Sequence, residues 1–180
     1  MHSIIKTYVD NGIEWLRQRD LLLRPTDNLP DEMRDETRND QDDWKPWKAI
    51  PSLATDADLE DIENKIKYKL PTSYKDFLKY KHFLELHSAD KFEPFGHIVH
   101  YWKENYLENY FHSELREYML DKGYIWFGNY DDWGFLCFDA NIPSPDNEYP
   151  VILIDHETID QAQLIYKNFK ECLIKNTFRS

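Results

Sequence analysis

The chain predicts an α+β domain: an antiparallel or mixed central sheet with flanking helices packed against it. Three observations carry this. Two short amphipathic helices are written between Trp47 and Leu84, parted by Leu70-Pro71. Three apolar runs follow, Tyr124-Ile125-Trp126-Phe127-Gly128, Phe135-Leu136-Cys137-Phe138 and Val151-Ile152-Leu153-Ile154. Asn129-Tyr130-Asp131-Asp132 lies between the first two, which marks a hairpin with a short loop. Runs that are apolar on both faces want cover on both sides, at least in part.

The elements are justified in order. Ile5, Val9, Ile13 and Leu16 recur at near-helical spacing and predict a leading helix over about residues 3–23, weakened by Gly12 and ended by Arg24-Pro25. Asp31 to Asp43 then holds seven carboxylates against Arg34 and Arg38. That stretch reads as a solvated, partly flexible linker, or more sharply as a docking strip for a cationic partner through Asp40, Asp42 and Asp43. Trp44 and Trp47, beside Pro46, are expected to leave solvent and pin the linker to the core. This divides the chain into residues 1–43, a helix and acidic linker, and residues 44–180, the main domain.

Thr55 and Asp58 form a capping box, and Asp56, Asp58 and Glu60 suit the positive end of the helix they open. Leu59, Ile62 and Ile66 make its apolar stripe, with Glu63, Asn64 and Lys65 facing away, and Pro71 stops it. Ser73 with Asp76 suggests a second box. Tyr74, Phe77 and Leu78 form a stripe expected to pack in the core, and Lys75, Lys79 and Lys81 give that helix a basic outer edge. His87 to Pro94 reads as loop. Ile98, Val99, Tyr101 and Trp102 suit a strand. Leu107, Phe111, Leu115, Tyr118 and Met119 suit a helix capped by Gly123. Asn141 to Tyr149 reads as an exposed connector. Thr158 and Gln161 are expected to cap a last helix carrying Ala162, Ile165, Phe169 and Leu173.

Composition narrows the function. The formal charge is −12, which disfavours direct binding to nucleic acid or an anionic membrane and permits a basic partner. Five glycines in the whole chain argue against a nucleotide-cradling architecture. Cys137 and Cys172 read as small buried hydrophobes in a reducing compartment. The first residues lack the long apolar run of a signal peptide, and no stretch is long enough to span a bilayer, so cytoplasm is the expected location. His97 and His100 are three apart and would point to opposite faces of a strand, with no Cys or carboxylate nearby to complete a zinc set. Asp155 and Glu157 would share a strand face, as an acid–base pair or as the strand's end. Neither a Gly-x-Ser-x-Gly elbow nor a Walker loop is present. Asp131, Asp132 and Trp133 form an acidic turn beside an aromatic. Ordinary turn chemistry accounts for it, and so does an exposed anchor for a protein partner. No cofactor or metal is implied.

Capped helix, Leu70-Pro71, then Tyr74-Lys75-Asp76-Phe77-Leu78 resembles the opening of the SUKH superfamily, the Smi/Knr-like proteins. Tyr124 to Gly128 and Trp133 to Asp139 resemble its central hairpin, Tyr149-Pro150-Val151 through Glu157 its next strand, and Phe169 with Leu173 its closing helix. The resemblance covers roughly residues 44–176. Where members often carry Asn-Gly after the second helix, this chain has Lys81-His82-Phe83-Leu84. The resemblance implies a SUKH-like fold and a protein-binding domain that is not an enzyme. Bacterial members of that kind are immunity proteins that neutralise toxins, often nucleases, and fungal members are regulatory hubs of cell-wall synthesis. A basic toxin domain is therefore the expected partner, a scaffold binding several cellular proteins the alternative, and a hydrolase using Asp155 or His156 the third reading. The number of copies in the working assembly stays open.

Overall fold

Helix α1 runs from His2 to Gln18 and buries Ile5, Tyr8, Val9, Ile13 and Leu16 along one face, together with Gly12. The structure, a computed structural model, describes residues 1–37, 43–86, 92–112, 114–142, 144 and 146–177. The helix ends five residues before the expected position 23, and Asp20 follows in the left-handed region with φ 56°. Strand β1, Leu23–Pro25, then pairs antiparallel with β2, Trp44–Pro46. Between them the chain makes two 3₁₀ turns, Thr26–Asn28 before the acidic stretch and Asp31–Met33 at its start, and Met33 is fully buried. Trp47 is also fully buried, as expected, whereas Trp44 stays 45% exposed on the hairpin.

Strand β3, Ile50–Pro51, leads into α2, Asp56–Ile66. Both bonds of the Thr55–Asp58 capping box form. Pro71 does not stop this helix: Lys67 does, at φ 67°, with its amide on the Glu63 carbonyl. Glu63 also departs from expectation. It is buried, because the chain wraps back over it and supplies the Leu70 amide at 2.9 Å, Lys69 at 2.8 Å and Lys75 at 3.1 Å. Helix α3, Thr72–Leu78, starts from Pro71 and not from a Ser73–Asp76 box. Its free amide at Ser73 goes to Glu148, 75 residues on, and the Ser73 hydroxyl donates to the same carboxylate. Tyr74, Phe77 and Leu78 are buried as the stripe predicts. Strand β4, Lys81–His82, then pairs with β3.

The remaining strands form one antiparallel sheet. Phe92–Pro94, expected as loop, is its first edge, β5. Residues 98–102 are not a strand; they turn into α4, Trp102–Phe111, because Trp102, Tyr106 and Tyr110 share one buried helical stripe. The expected helix through Met119 instead breaks into turns, ending in a 3₁₀ turn, Leu120–Lys122, that Gly123 caps at φ 82°. Strands β6 (Tyr124–Tyr130), β7 (Gly134–Asp139) and β8 (Val151–Asp155) match the three apolar runs. Ala162–Tyr166 forms β9 and not the first half of a helix. The spacing of Ile165 and Phe169 fits a helix, but pairing the open side of β8 takes precedence. Helix α5 is only Phe169–Lys175, capped by Asn168. The sheet order is β5-β6-β7-β8-β9.

One sheet face, through Ile125, Phe127, Leu136, Phe138, Val151 and Leu153, joins the main core with α1, α3 and α5. Tyr74, Phe127, Phe138 and Phe169 meet there, with Phe127 and Phe138 stacked at 4.0 Å. The opposite face, through Cys137, Ile152 and Ile154, is covered by Met119 and, at its margin, Leu115 and Ile159. The architecture is α+β with cover on both sides of the sheet.

Candidate functional site

The two 3₁₀ turns before and at the start of the acidic stretch face the start of α4 across a groove of about 560 Å³. One wall is Asp27, Asn28, Leu29, Pro30, Asp31 and Glu32; the other is Ile98, His100, Tyr101 and Asn105. Ile98 and Asn105 also line an adjoining recess of about 350 Å³ with Glu108 and Asn109. None of the lining residues is a lysine or arginine. The stripe that buries Trp102, Tyr106 and Tyr110 leaves Glu104 and Glu108 on the outer side of α4. The single lysine of α4, Lys103, turns to α2, 2.8 Å from Asp61 and 3.4 Å from Asp58.

His100 joins the two walls. Its Nε2 lies 2.9 Å from Glu32, and that bond holds the Glu32 carboxyl below the usual carboxylate range. His100 stands in the left-handed region at φ 69°, which costs a residue with a Cβ about 1 kcal/mol. Beside it Tyr101 is 59% exposed. Carboxylates at one wall and an open aromatic at the other suit a basic protein surface: charge steers the approach and an aromatic supplies contact area.

The basic edge foreseen on α3 is neutralised within the fold. Lys75 pairs with Glu63, Lys79 with Asp56, and Lys81 with Asp10 at 2.8 Å. Arg24 likewise pairs with Glu85 and Arg34 with Asp31.

Of the residues foreseen as contacts, Asp40 and Asp42 lie outside the described residues. Asp43 is exposed, and its carbonyl accepts the Thr26 amide, which places it next to the turn that carries Asp27. Asp131 and Asp132 are exposed in the β6–β7 turn, where Asp131 takes φ 55°. Trp133 is half-buried, its ring edge-on to Tyr130 at 5.4 Å and its carbonyl accepting the His156 amide. That turn adjoins the Phe92 end of β5, whereas the groove opens beyond the Pro94 end, so the two acidic places are separate. Sequence reading missed Asp27, Glu32 and Tyr101 as one surface, since 68 residues part Glu32 from His100.

The other candidates settle differently. His97 is fully buried against His82, and His100 faces the groove, so the two histidines have different surroundings. Among the described residues no group of three His, Cys, Asp or Glu side chains is placed to hold a metal ion. Asp155 ends β8 and accepts the Glu157 amide at 2.8 Å, while His156 and Glu157 are exposed on the following turn. Cys137 and Cys172 are both buried, and burial pushes both thiols up. Among the described residues no helix is long and apolar enough to cross a membrane.

A capped helix pair against an antiparallel meander, closed by a short helix, defines this as a small α+β domain that presents a groove. The chain belongs to the SMI1 / KNR4 family (SUKH-1), whose model matches residues 53–175. The match begins just before α2 and ends with α5. The family is generally non-catalytic. Comparison with curated proteins finds no match. The wall of the groove built by residues 27–32 lies outside the matched stretch, and the wall built by residues 98–105 lies inside it.

Proposed function

We propose that the chain is an immunity-type protein: it binds a basic toxin domain, such as a nuclease, and blocks it by occupation, without chemistry of its own. The observation that carries this reading is the groove between residues 27–32 and 98–105, lined by Asp27, Asp31 and Glu32 with no lysine or arginine among its lining residues, Asp31 being paired with Arg34 and Glu32 with His100. A nuclease cleft must be basic to hold phosphates, so an acidic protein that fills it gains both speed of association and selectivity. Asp43 extends the same surface, and Asp131, Asp132 and Trp133 form a second proposed contact. Because one wall lies outside the family-matched stretch, it is the part suited to choosing one partner from many. The work is that of a protein acting inside the cell that makes the toxin, which places it in the cytoplasm.

Co-expression tests this. The chain is produced together with basic nuclease toxin domains, one at a time across a panel, and growth is followed. Rescue from one of them, with purification of a stable complex, agrees with the proposal. Undiminished toxicity across the panel with no complex overturns it. Recovery of many unrelated housekeeping proteins instead of one would favour a regulatory scaffold.

A further inference from the structure

Behind the groove wall lies a buried pair of imidazoles. His82 and His97 are fully buried and stacked, ring centroids 4.5 Å apart with planes 23° from parallel. Their protonation is fixed by their partners. His82 Nε2 accepts the Leu53 amide at 2.9 Å, so its proton sits on Nδ1 and goes to the His97 carbonyl at 3.0 Å. The Ser52 hydroxyl donates to the Leu78 carbonyl at 2.7 Å, which leaves its oxygen to accept from His97 Nε2 at 3.3 Å. His97 Nδ1 then faces no partner among the described residues. Both rings are neutral in this arrangement.

We propose that His82 and His97 form a proton-operated latch on the groove: with both rings neutral the backbone bridge between Phe83 and His97 holds Ile98 in the groove wall, and a proton on either ring releases it. The bridge is two bonds, Phe83 amide to His97 carbonyl at 3.1 Å and His97 amide to Phe83 carbonyl at 2.9 Å. Ile98, the next residue, lines both the groove and its adjoining recess. A proton on His97 Nδ1 would place a charged N–H against no acceptor. A proton on His82 Nε2 would set a donor against the Leu53 amide. Either charge would stand 4.5 Å from the other ring without solvent.

The surroundings supply little relief: the His97 carbonyl beside His82 and the Leu78 carbonyl beside His97 each favour a proton, and burial outweighs both. Phe83, just after β4, faces His97, and α4 presents Trp102 and Tyr106, at 6.0, 4.8 and 6.0 Å between ring centroids. Ser52 and Leu53 present a hydroxyl and an amide. His100 is the further titratable group acting on His82, and it adds repulsion. Burial, joined for His97 by the charge on His82, holds both imidazoles below their ordinary value, His97 furthest. Residues 97–101 lie outside the named strands, and His100 is held at φ 69°, so local release is easier here than in the sheet. Val99 and Trp102 stay buried anchors, which confines the release to the bridge at residues 97–98.

The sign follows from linkage. A released ring titrates near ~6.5, whereas the latched ring stays neutral to lower pH. The latched form is therefore unaffected above about pH 6.5 and loses about tenfold in population ratio per pH unit below it for each proton taken up. The consequence, a docking surface lost in acid, rests on the groove being the docking face; the latch itself is read on the free chain.

Amide hydrogen exchange by NMR on the free protein, between pH 7.5 and 5, tests it. Protection factors at the Phe83 and His97 amides should fall about tenfold or more per pH unit below about 6.5. Those of Cys137 and Ile152 in the sheet should hold. His97→Phe, which places an apolar ring among aromatic neighbours, and His82→Gln, which keeps an acceptor and a donor, should each make the fall shallower or abolish it. A flat profile in the wild type overturns the latch, as does a fall shared by the sheet amides, or an unchanged slope in both variants. Partner binding at pH 7.5 is scored separately with groove substitutions, so failure of the docking reading and failure of the latch are distinguishable.

Discussion

Replacing Glu63 by alanine probes a part of the domain that depends on one side chain. Its carboxylate accepts the Leu70 amide, Lys69 and Lys75, and so fixes the turn from α2 to α3. Leu70 is fully buried, so Glu63→Ala strands an amide without water, which costs about 1–3 kcal/mol. Lys69 is 61% exposed, so its pair with Glu63 adds at most about 1 kcal/mol. The total is about 1–4 kcal/mol. With a urea slope of about 2 kcal/mol/M, the midpoint should fall by about 0.5–2 M with the slope unchanged. Glu63→Gln keeps an acceptor for the Leu70 amide and should lose less than about half as much. Burial alone would push the Glu63 carboxyl up, but Lys69, the Leu70 amide and Lys75 outweigh it and leave it lowered. Its stabilisation is therefore present above the unfolded value of about 4.3 and lost as pH falls through the lower folded value, so wild type and Glu63→Ala should converge in acid. A midpoint shift below about 0.3 M at neutral pH would refute the reasoning.

The remaining outcomes are simpler. Glu148→Ala removes the distant cap of α3 and should cost about 1–2 kcal/mol in urea unfolding, whereas Asp76→Ala, at the position of the expected local box, should cost less than about 0.5 kcal/mol. Trp47→Ala, at a fully buried site, should cost about 3–5 kcal/mol, and Trp44→Ala, 45% exposed, clearly less; equal losses would contradict the packing of the β1–β2 hairpin. Gly128→Ala would set a methyl 2.5 Å from the Glu93 carbonyl oxygen and should cost about 1–3 kcal/mol by prising β5 from the sheet, read as faster exchange of the Phe95 amide.

The parts legible in the sequence are those whose cause lies within a few residues. The Thr55–Asp58 box, the stripe Tyr74-Phe77-Leu78, the β6–β7 hairpin and the αL cap at Gly123 are all local chemistry, and all are present. The misreadings share a different cause. Glu63 has the spacing of an outward residue and is buried by chain that returns over it. Ser73 looks ready for Asp76 and is served by Glu148, 75 residues away. Ala162 and Ile165 fit a helix until β8 is seen to need a partner. The groove escapes for the same reason, since its walls come from residues 27–32 and 98–105 and no local pattern joins them. His97 was visible as a histidine near His100; that its true neighbour is His82 is a tertiary fact.

The central claim is that the groove carries docking of a basic protein domain. Calorimetric titration of a basic nuclease toxin domain from which the chain rescues cells in co-expression, into wild type and into the Asp27→Asn/Asp31→Asn/Glu32→Gln variant at low and high salt, tests it most directly. The account predicts tight wild-type binding that weakens with salt, and a variant that folds normally but binds at least about tenfold more weakly with a flatter salt dependence. A folded variant with wild-type affinity and wild-type salt dependence would contradict it.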